Sequence, residues 1–273
     1  MSKRKRNLII IFSIIGVFIV LMIVFGVLFS VRKINVDFAT DVNRVEAYSE
    51  DDIISESGIK KGSNIVFSNY SKAEAKLEKE FPYARFEIVR TFPNRVTIYV
   101  YERTPVIRVL SEDGMWHIYD ESLKCLEIVS PILIEENGNN LIPVYHGENL
   151  TLATSEGEFI DNAEFASKLT TIVDGVYGAG ETPITVMSDI TLGYDDILGL
   201  EILTMKLQGT GTTIVIQGSS YQKEKIAYAV YVYLSDVSSN PAYAEKLENI
   251  TIEVFDSFNP DDVGNSIRVV ENL

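Results

Sequence analysis

Few side chains in this sequence are of the types that carry out acid–base or nucleophilic chemistry. The 273 residues include two histidines, His117 and His146, and one cysteine, Cys125. Two histidines are too few for a three-histidine catalytic zinc centre, and neither H-E-x-x-H nor paired C-x-x-C segments occur. We therefore expect His117 to be a surface or hydrogen-bonded histidine in a strand, and Cys125 to be a half-buried structural thiol.

One segment has the spacing of a known nucleophile. T-L-A-T-S at residues 151–155 resembles the T-L-x-T-C segment of sortases, which are also anchored extracytoplasmic β proteins, and Ser155 stands at the nucleophile position. A serine hydroxyl lacks the low pKa of a thiolate, so this chemistry would need a different base. A membrane-anchored transpeptidase or hydrolase remains an alternative, to be tested by replacing Ser155 or Cys125.

Two pairs of adjacent carboxylates are the remaining candidates for a metal site. Asp195-Asp196 and Asp261-Asp262 lack the D-x-D-x-D-G spacing of a calcium loop. We expect both pairs to lie in solvated loops. The sequence therefore predicts no metal, no cofactor and no small-molecule substrate.

Charge and composition narrow the class of protein further. The chain has 24 basic and 39 acidic residues, a net charge of −15, and 46% apolar residues. An acidic protein is poorly suited to bind a polyanion, so nucleic acid is not an expected partner. A single cysteine allows no internal disulfide, so packed cores must supply the stability.

The N-terminal segment has the pattern of a membrane anchor. Leu8 to Phe29 is an uncharged run of 22 residues, which as a helix would reach roughly 33 Å and cross a bilayer. No small-x-small cleavage site follows it. Four basic residues, Lys3 to Arg6, precede the run, and only Arg32 and Lys33 follow it directly. The positive-inside rule therefore places residues 1–7 in the cytoplasm, residues 8–31 in the membrane and the remainder outside.

Residues 32–104 predict a strand, two helices and a hairpin, in that order. Residues 32–38 alternate apolar and polar side chains as a half-buried strand does. Ser49 is the expected N-cap of a short helix that stops at Gly58, and Ser71 with Glu74 forms a capping box for a second helix. Two β-rich runs then flank the turn Phe92-Pro93-Asn94. In this order, a three-stranded sheet buries one face under two helices.

Residues 105–273 predict a second, mostly antiparallel β domain with flanking helices, which makes the chain α+β with a single N-terminal transmembrane helix. One helix is indicated by a stripe from Phe159 through Val173 that ends near Gly175 and Gly178, and the other spans Lys225 to Val237. Short apolar or alternating runs indicate the strands: Val106–Leu110, Trp116–Tyr119, Cys125–Ile128, Ile184–Met187, Glu201–Leu207, Thr212–Ile216, Ile250–Phe255 and Ile267–Val270.

Several of these segments carry a family resemblance. S-E-D-D-I-I-S-E-S-G-I-K-K-G-S-N-I and F-P-Y-A-R-F-E-I-V-R-T-F-P-N-R-V-T-I-Y-V-Y-E-R-T-P-V, both between residues 31 and 106, resemble the POTRA domain of the bacterial cell-division proteins FtsQ and DivIB. D-G-M-W-H-I-Y-D, L-I-P-V-Y-H-G and T-I-V-I-Q-G resemble elements of the family's β domain. Gln217, where the family favours leucine, and the acidic residues 147–165 depart from the pattern.

The resemblance implies a non-catalytic scaffold of the divisome, enriched at the division septum. Its implied partners are FtsL and the FtsB/DivIC protein, in a complex that governs the septal peptidoglycan synthases. In this family the last strand of the β domain receives the FtsB-type segment. The corresponding residues expected to bind a partner are Thr251, Glu253 and Phe255, followed by Ser266, Ile267, Arg268, Val269 and Val270. A POTRA-type chaperone or receptor for secreted chains remains a further alternative.

Two other groups of residues are singled out. Tyr228 and Tyr231 lie off the apolar stripe of their helix, so they are either half-buried or contact points for a partner. Six residues are expected to determine the POTRA fold, with the two glycines supplying turns and Arg90 pairing with Glu102 across the hairpin. These residues are Gly58, Gly62, Arg90, Pro93, Glu102 and Arg103.

Overall fold

The computed structural model describes residues 3–38, 48–131, 141–147, 152–153, 155–263 and 266–272. The chain divides into two compact units, Met1–Arg103 and Thr104–Leu273. The predicted α+β fold class is confirmed: an N-terminal apolar helix and a small sheet with helices form the first unit, and a large sheet with helices forms the second. We call the second one the β unit.

The first element is a long apolar helix, α1 (Lys3–Leu28). Its segment Ile11–Leu28 has a mean hydropathy of 3.1, and none of that segment is buried. A helix that is apolar all round and covered by no other part of the protein is suited to lipid rather than to water. By length and composition α1 can therefore cross a membrane.

A three-stranded sheet and two helices follow α1. They are β1 (Lys33–Phe38), α2 (Glu50–Ser57), α3 (Tyr70–Glu80), β2 (Ala84–Thr91) and β3 (Arg95–Glu102). The central strand is β3, parallel to β1 and antiparallel to β2. Ile53 of α2 and Leu77 of α3 are fully buried together with Val96 and Ile98 of β3, so the helices and the sheet share one core.

The caps of the two helices differ in how well the sequence predicted them. Ser49 caps α2, its hydroxyl accepting a hydrogen bond from the Asp52 backbone N–H at 3.1 Å, and Gly58 ends the helix with φ of 68°. For α3 the predicted capping box is wrong, because Asn69 is the cap and accepts from the Lys72 N–H at 3.2 Å. The Glu74 carboxylate instead accepts from the Ile88 N–H of β2 at 2.7 Å and so ties α3 to the sheet.

The predicted pair of Arg90 and Glu102 is also wrong, because the hairpin register separates them. Arg90 lies opposite Val96, whereas Glu102 lies opposite Ala84 at the far end of the hairpin, about 20 Å away at the usual rise per strand residue. The Arg90 guanidinium instead donates to the Ser68 carbonyl at 2.9 Å and lies 4.8 Å from the centre of the Tyr70 ring.

The other residues expected to determine this fold lie at turns and at the end of β3. Gly62 has a φ of 91°, a region that favours glycine. Pro93 is exposed in the hairpin turn. The Arg103 guanidinium is nearly buried, forms an ion pair with Glu78 at 3.2 Å and donates to the Ala84 carbonyl at 3.3 Å. Arg103 thus links the end of β3 to both α3 and β2.

The β unit is built on one nine-stranded sheet. Its strand order is β12-β11-β10-β9-β8-β7-β4-β5-β6. Parallel pairs join β10 to β11, β4 to β7 and β7 to β8, and the other pairs are antiparallel. The strands are β4 (Pro105–Leu110), β5 (Trp116–Asp120), β6 (Cys125–Val129), β7 (Ile142–His146), β8 (Met187–Asp195), β9 (Leu200–Leu207), β10 (Thr213–Gln217), β11 (Ile250–Val254) and β12 (Ile267–Glu271).

Helices pack against this sheet and complete its core. They are α4 (Ala163–Gly178), the short α5 (Pro183–Val186) and α6 (Gln222–Val232), which continues as a π-helical turn to Val237. Leu169 and Ile172 of α4 and Ile226 and Ala229 of α6 are buried in the same cluster as the inward side chains of the strands. The two long helices therefore cover one face of the sheet.

Two sequence predictions in the β unit are wrong in detail. The expected strand Ile184–Met187 is the short helix α5, because Pro183 at its first position fixes a helical φ, and the strand β8 begins only at Met187. Phe159 is not part of α4: Asn162 caps that helix, and Phe159 lies before it and is 57% exposed.

Candidate partner-binding edge

The strand with the expected docking residues lies at one end of the nine-stranded sheet. β12 pairs with β11 alone, antiparallel, and its other side meets no described strand. β11 lies between β10 and β12, so its own backbone groups are used within the sheet. An open strand edge exposes unpaired N–H and C=O groups that another chain can bind.

The hydrogen bonds at the two ends of the β11–β12 ladder show which residues of β12 face outward. The Phe255 N–H donates to the Ser266 carbonyl at 2.9 Å, and the Asn272 N–H donates to the Asn249 carbonyl at 2.7 Å. In an antiparallel ladder the direction of the backbone groups alternates along the strand. The even-numbered residues of β12 therefore face β11, whereas Ile267, Val269 and Glu271 direct N–H and C=O groups away from the sheet.

The side chains of β12 hold the strand in place. Ile267 and Val269 are half-buried and pack on the core of the β unit, and Ser266 is buried just before the strand. Glu271, at the end of the strand, forms an ion pair with Lys246 at 2.6 Å. The strand is thus fixed by side chains while half of its backbone groups point away from the sheet.

On the face of the sheet that points away from the core, the residues at this edge have polar and charged side chains. The Arg268 Nε donates to the Glu253 carboxylate at 2.8 Å, and the guanidinium lies 5.5 Å from the centre of the Phe255 ring. The Thr251 hydroxyl accepts a hydrogen bond from the Asn272 side-chain amide at 2.7 Å. The expected residues of β11 therefore offer side chains beside the edge, but no free backbone.

Aromatic side chains of α6 lie near the same end of the sheet. Tyr228 is half-buried, and its ring lies 6.4 Å from that of Tyr231 and 6.1 Å from that of Phe258. Phe258 belongs to the segment that joins β11 to β12. Tyr231 is 58% exposed, so an aromatic surface is available on the helix side of the edge.

The edge at the other end of the sheet is covered by the protein itself. The Cys125 N–H of β6 donates to the Glu158 carbonyl at 2.8 Å, and the Gly157 N–H donates to the Cys125 carbonyl at 2.7 Å. The Ile128 N–H points to the Glu156 carboxylate at 3.5 Å. The two ends of one sheet therefore differ: residues 156–158 occupy the β6 edge, and no described segment occupies the β12 edge.

The sequence missed Glu271 and Asn272, because the predicted strand stopped at Val270. Glu271 pairs with Ile250, and the Asn272 N–H donates to the Asn249 carbonyl, so the β11–β12 ladder runs two pairs beyond its expected end at Val270. The alternation of apolar and polar residues fades at Glu271, so hydrophobic periodicity gave no signal there. The ion pair that Glu271 makes with Lys246 depends on a segment distant in sequence.

A buried lysine supports the turn after β10, close to β11, and no sequence pattern predicted it. Lys225 of α6 is fully buried, and its ammonium donates to the Gln217 carbonyl at 2.6 Å with Asp256 at 3.7 Å. Burial lowers the pKa of Lys225, and the nearby Asp256 carboxylate opposes that shift. Gln217, which departs from the family pattern, acts here through its backbone carbonyl.

The groups with possible chemical reactivity are poorly placed to react. Burial, with a smaller effect of the Glu156 carboxylate, raises the pKa of the Cys125 thiol to about 12. A thiol of that pKa is protonated at neutral pH and is a poor nucleophile. Ser155 is half-buried, and the described residues show no hydrogen bond from its hydroxyl to a base.

The acidic pairs also lack the form of a metal site. The Asp195 carboxylate accepts hydrogen bonds from the Ile197 and Leu198 N–H groups at 2.9 Å, which closes a turn. Asp261 and Asp262 are exposed. Within the described ranges, no group of three or more His, Cys, Asp or Glu side chains is placed to hold a metal ion.

The histidine expected at the surface or in a hydrogen bond is neither. His117 is 4% exposed in β5, and among the described residues neither ring nitrogen has a hydrogen-bond partner. Its ring stacks at 6.3 Å from that of Tyr119. Burial lowers the pKa of His117, which the Asp113 carboxylate opposes. The other histidine, His146, contacts the Leu110 carbonyl at 3.1 Å.

This buried imidazole predicts a pH dependence of stability. Because the pKa of His117 is lower in the folded protein than the ordinary 6.5, the unfolded chain takes up the proton first as the pH falls. The free energy of unfolding should therefore decrease from pH 7 downward until the folded-state pKa is passed. Urea unfolding followed by circular dichroism should show a smaller decrease in His117→Leu, and an unchanged decrease in that variant would contradict the prediction.

The fold defines a class: a protein with an N-terminal helix that can cross a membrane by its length and composition, a β-α-α-β-β domain, and a β unit with a sheet edge that no described strand covers. Compared with known families, residues 29–103 match the family "POTRA domain, FtsQ-type". The resemblance to FtsQ and DivIB is thereby confirmed over this stretch, and the chain contains an FtsQ-type POTRA domain. A comparison with curated proteins found no match.

Proposed function

We propose that this chain is a non-catalytic scaffold of the divisome that binds FtsL and FtsB/DivIC-type proteins and thereby links them to the septal peptidoglycan synthases. The observation that carries the proposal is the open β12 edge, with Ile267, Val269 and Glu271 directing their backbone groups outward. The FtsQ-type POTRA domain supports a division-related role. The apolar helix α1 supports an anchor in the cell membrane.

Strand addition at this edge accounts for binding without a reaction centre. Three outward residues offer up to six backbone hydrogen bonds, each worth a net of about 0.5–1.5 kcal/mol. A partner strand would also place alternate side chains over Val270 and the Arg268–Glu253 pair on one face. Tyr231 supplies an exposed aromatic contact on the other face.

Orientation and location follow from the same proposal. The basic residues Lys3 to Arg6 favour a cytoplasmic N-terminus. The POTRA domain and the β unit then lie outside the cytoplasm, where septal wall synthesis takes place. Enrichment at the division septum would follow from binding to other division proteins.

Site-specific photo-crosslinking in dividing cells tests the proposal. A benzophenone amino acid in place of Val270, beside the outward edge, should give one or two discrete crosslinked products that are single-pass division proteins. The same group in place of the exposed Glu112, in the turn between β4 and β5, should give none of them. Crosslinks from position 270 to many unrelated secreted chains would indicate a chaperone instead, and would sink the scaffold proposal.

A further inference from the structure

Three segments of the POTRA domain meet where α1 ends. The Val31 N–H donates to the Ser63 carbonyl at 2.8 Å, and the Arg32 N–H donates to the Asn94 carbonyl at 2.8 Å. The Ile65 N–H donates to the Phe29 carbonyl, also at 2.8 Å. The apolar helix therefore enters the domain directly, without a linker. We call residues 29–33, 59–69 and 90–95 the membrane-proximal rim.

Two phenylalanines of the rim are exposed next to the end of α1. Phe67 is 78% exposed and Phe92 is 57% exposed, which is unusual for side chains of this size. Their rings lie beside aromatic residues at the end of the apolar run, with centroid distances of 6.4 Å from Phe67 to Phe25 and 5.9 Å from Phe92 to Phe29. The exposed apolar surface of α1 thus continues without a break onto the POTRA domain.

The charge of the rim has one sign only. Its three segments contain six basic residues and no aspartate or glutamate. Among the described residues, none of the five at positions 32, 33, 60, 61 and 95 forms an ion pair with a carboxylate. These charges are exposed around the same end of the domain. The basic residues are Arg32, Lys33, Lys60, Lys61, Arg90 and Arg95.

We propose that the membrane-proximal rim docks onto an anionic lipid surface. Phe67 and Phe92 lie in the boundary between headgroups and acyl chains, where the apolar side of interfacial segments, phenylalanine included, is buried. The lysine and arginine side chains bind lipid phosphates around them, because a surface of anionic lipids attracts basic side chains that lie within about a Debye length of it. Lipid is the occupant because the exposed rings continue the apolar surface of α1, which crosses the bilayer.

The consequence is a fixed orientation of the POTRA domain. A single helix leaves a domain free to tilt, whereas two inserted rings beside that helix define a plane of contact with the membrane. The edges of the three-stranded sheet are then held at a set height and angle above the bilayer. This proposal is independent of partner binding at β12.

Depth-dependent quenching in nanodiscs tests the docking with the full chain. The sequence has a single tryptophan, Trp116, so Trp116→Phe provides a background for Phe67→Trp and Phe92→Trp. Tyr101→Trp is the control, because Tyr101 is at the far end of β3 from Arg95. Lipids brominated in the upper acyl chain should quench positions 67 and 92 at least twofold more than position 101. Equal quenching at all three positions would overturn the proposal.

A second comparison tests the role of charge. Quenching at position 67 should be stronger in discs that contain phosphatidylglycerol than in phosphatidylcholine discs, and Lys60→Gln with Lys61→Gln should reduce that difference. The control is Lys76→Gln with Lys79→Gln, two lysines of α3 that lie outside the rim. This double variant should leave the difference between the two lipids unchanged. If quenching is the same in both lipids, the assignment of the basic residues to anionic headgroups is wrong. If a photo-crosslinker at position 67 captures a protein in cells rather than lipid, the rim binds a protein and the proposal that it docks onto lipid is wrong.

Discussion

Replacing Gly175 with alanine is expected to destabilise the β unit by about 1–3 kcal/mol, the usual cost of overpacking a well-filled core. A Cβ atom at this position would lie 2.7 Å from Cβ of Ile226 and 3.1 Å from the Lys223 carbonyl. Ile226 is fully buried, so its side chain has no room to move away. Valine at position 175 should cost more, because its two additional methyl groups enter the same contact between α4 and α6.

Gly178 provides the matched control on the same helix. A Cβ there would meet only Cβ of Ala227 at 3.4 Å, an ordinary contact, so Gly178→Ala should be neutral or stabilise by up to about 1 kcal/mol through helix propensity. Urea unfolding can be followed through Trp116, which belongs to the β unit. Equal stability of Gly175→Ala and Gly178→Ala would show that the two helices do not approach as closely as the structure places them.

Gly175 also shows where sequence patterns stop being informative. Glycine commonly ends helices, and the stop predicted near Gly175 and Gly178 is confirmed, because α4 ends at Gly178. The reason for glycine at position 175 is the close approach of Ile226 on another helix, which no local pattern contains. Arg90 is a similar case: its partners Ser68 and Tyr70 are set by how α3 meets the sheet, not by the hairpin to which Arg90 belongs.

Local patterns were sufficient for most elements of the fold. Alternation predicted β1, two β-rich runs around a turn predicted the hairpin, and the expected N-cap Ser49 with the stop at Gly58 predicted α2, because these signals depend on neighbours in sequence. The strands β7 and β8 were harder, since their pairing is parallel to β4 and to each other and depends on long connections. The order of strands in the nine-stranded sheet, and so the existence of an open end, could be read only from the structure.

The candidate edge was predicted in part, from the family resemblance rather than from periodicity. Alternation shows that Ile267 and Val269 share one face of a strand, but it does not show which N–H groups are used inside the sheet. That distinction follows from the bonds of Phe255 to Ser266 and of Asn272 to Asn249. A proline at position 269 therefore removes an N–H that points away from the sheet and leaves the hydrogen bonds between β11 and β12 intact.

Val269→Pro is therefore expected to weaken partner binding strongly while the protein stays folded. Proline removes one outward N–H and puts its ring where a partner strand would approach. The lost bond leaves a partner carbonyl unsatisfied, at a cost of about 1–3 kcal/mol, and the blocked approach adds to it. We expect at least a tenfold loss of affinity for an FtsB/DivIC-type extracytoplasmic segment, measured by isothermal titration calorimetry.

Two neighbouring variants separate loss of the edge from loss of the strand. Val269→Ala keeps the N–H and removes most of the half-buried side chain, so it should lower stability more than affinity. Arg268→Pro removes an N–H donor that faces β11 and should detach β12 from the sheet, so it should lower both stability and affinity. If Val269→Pro binds as tightly as the unmodified protein, β12 is not the docking strand. If Val269→Ala loses affinity as strongly as Val269→Pro, the side chain rather than the backbone edge holds the partner.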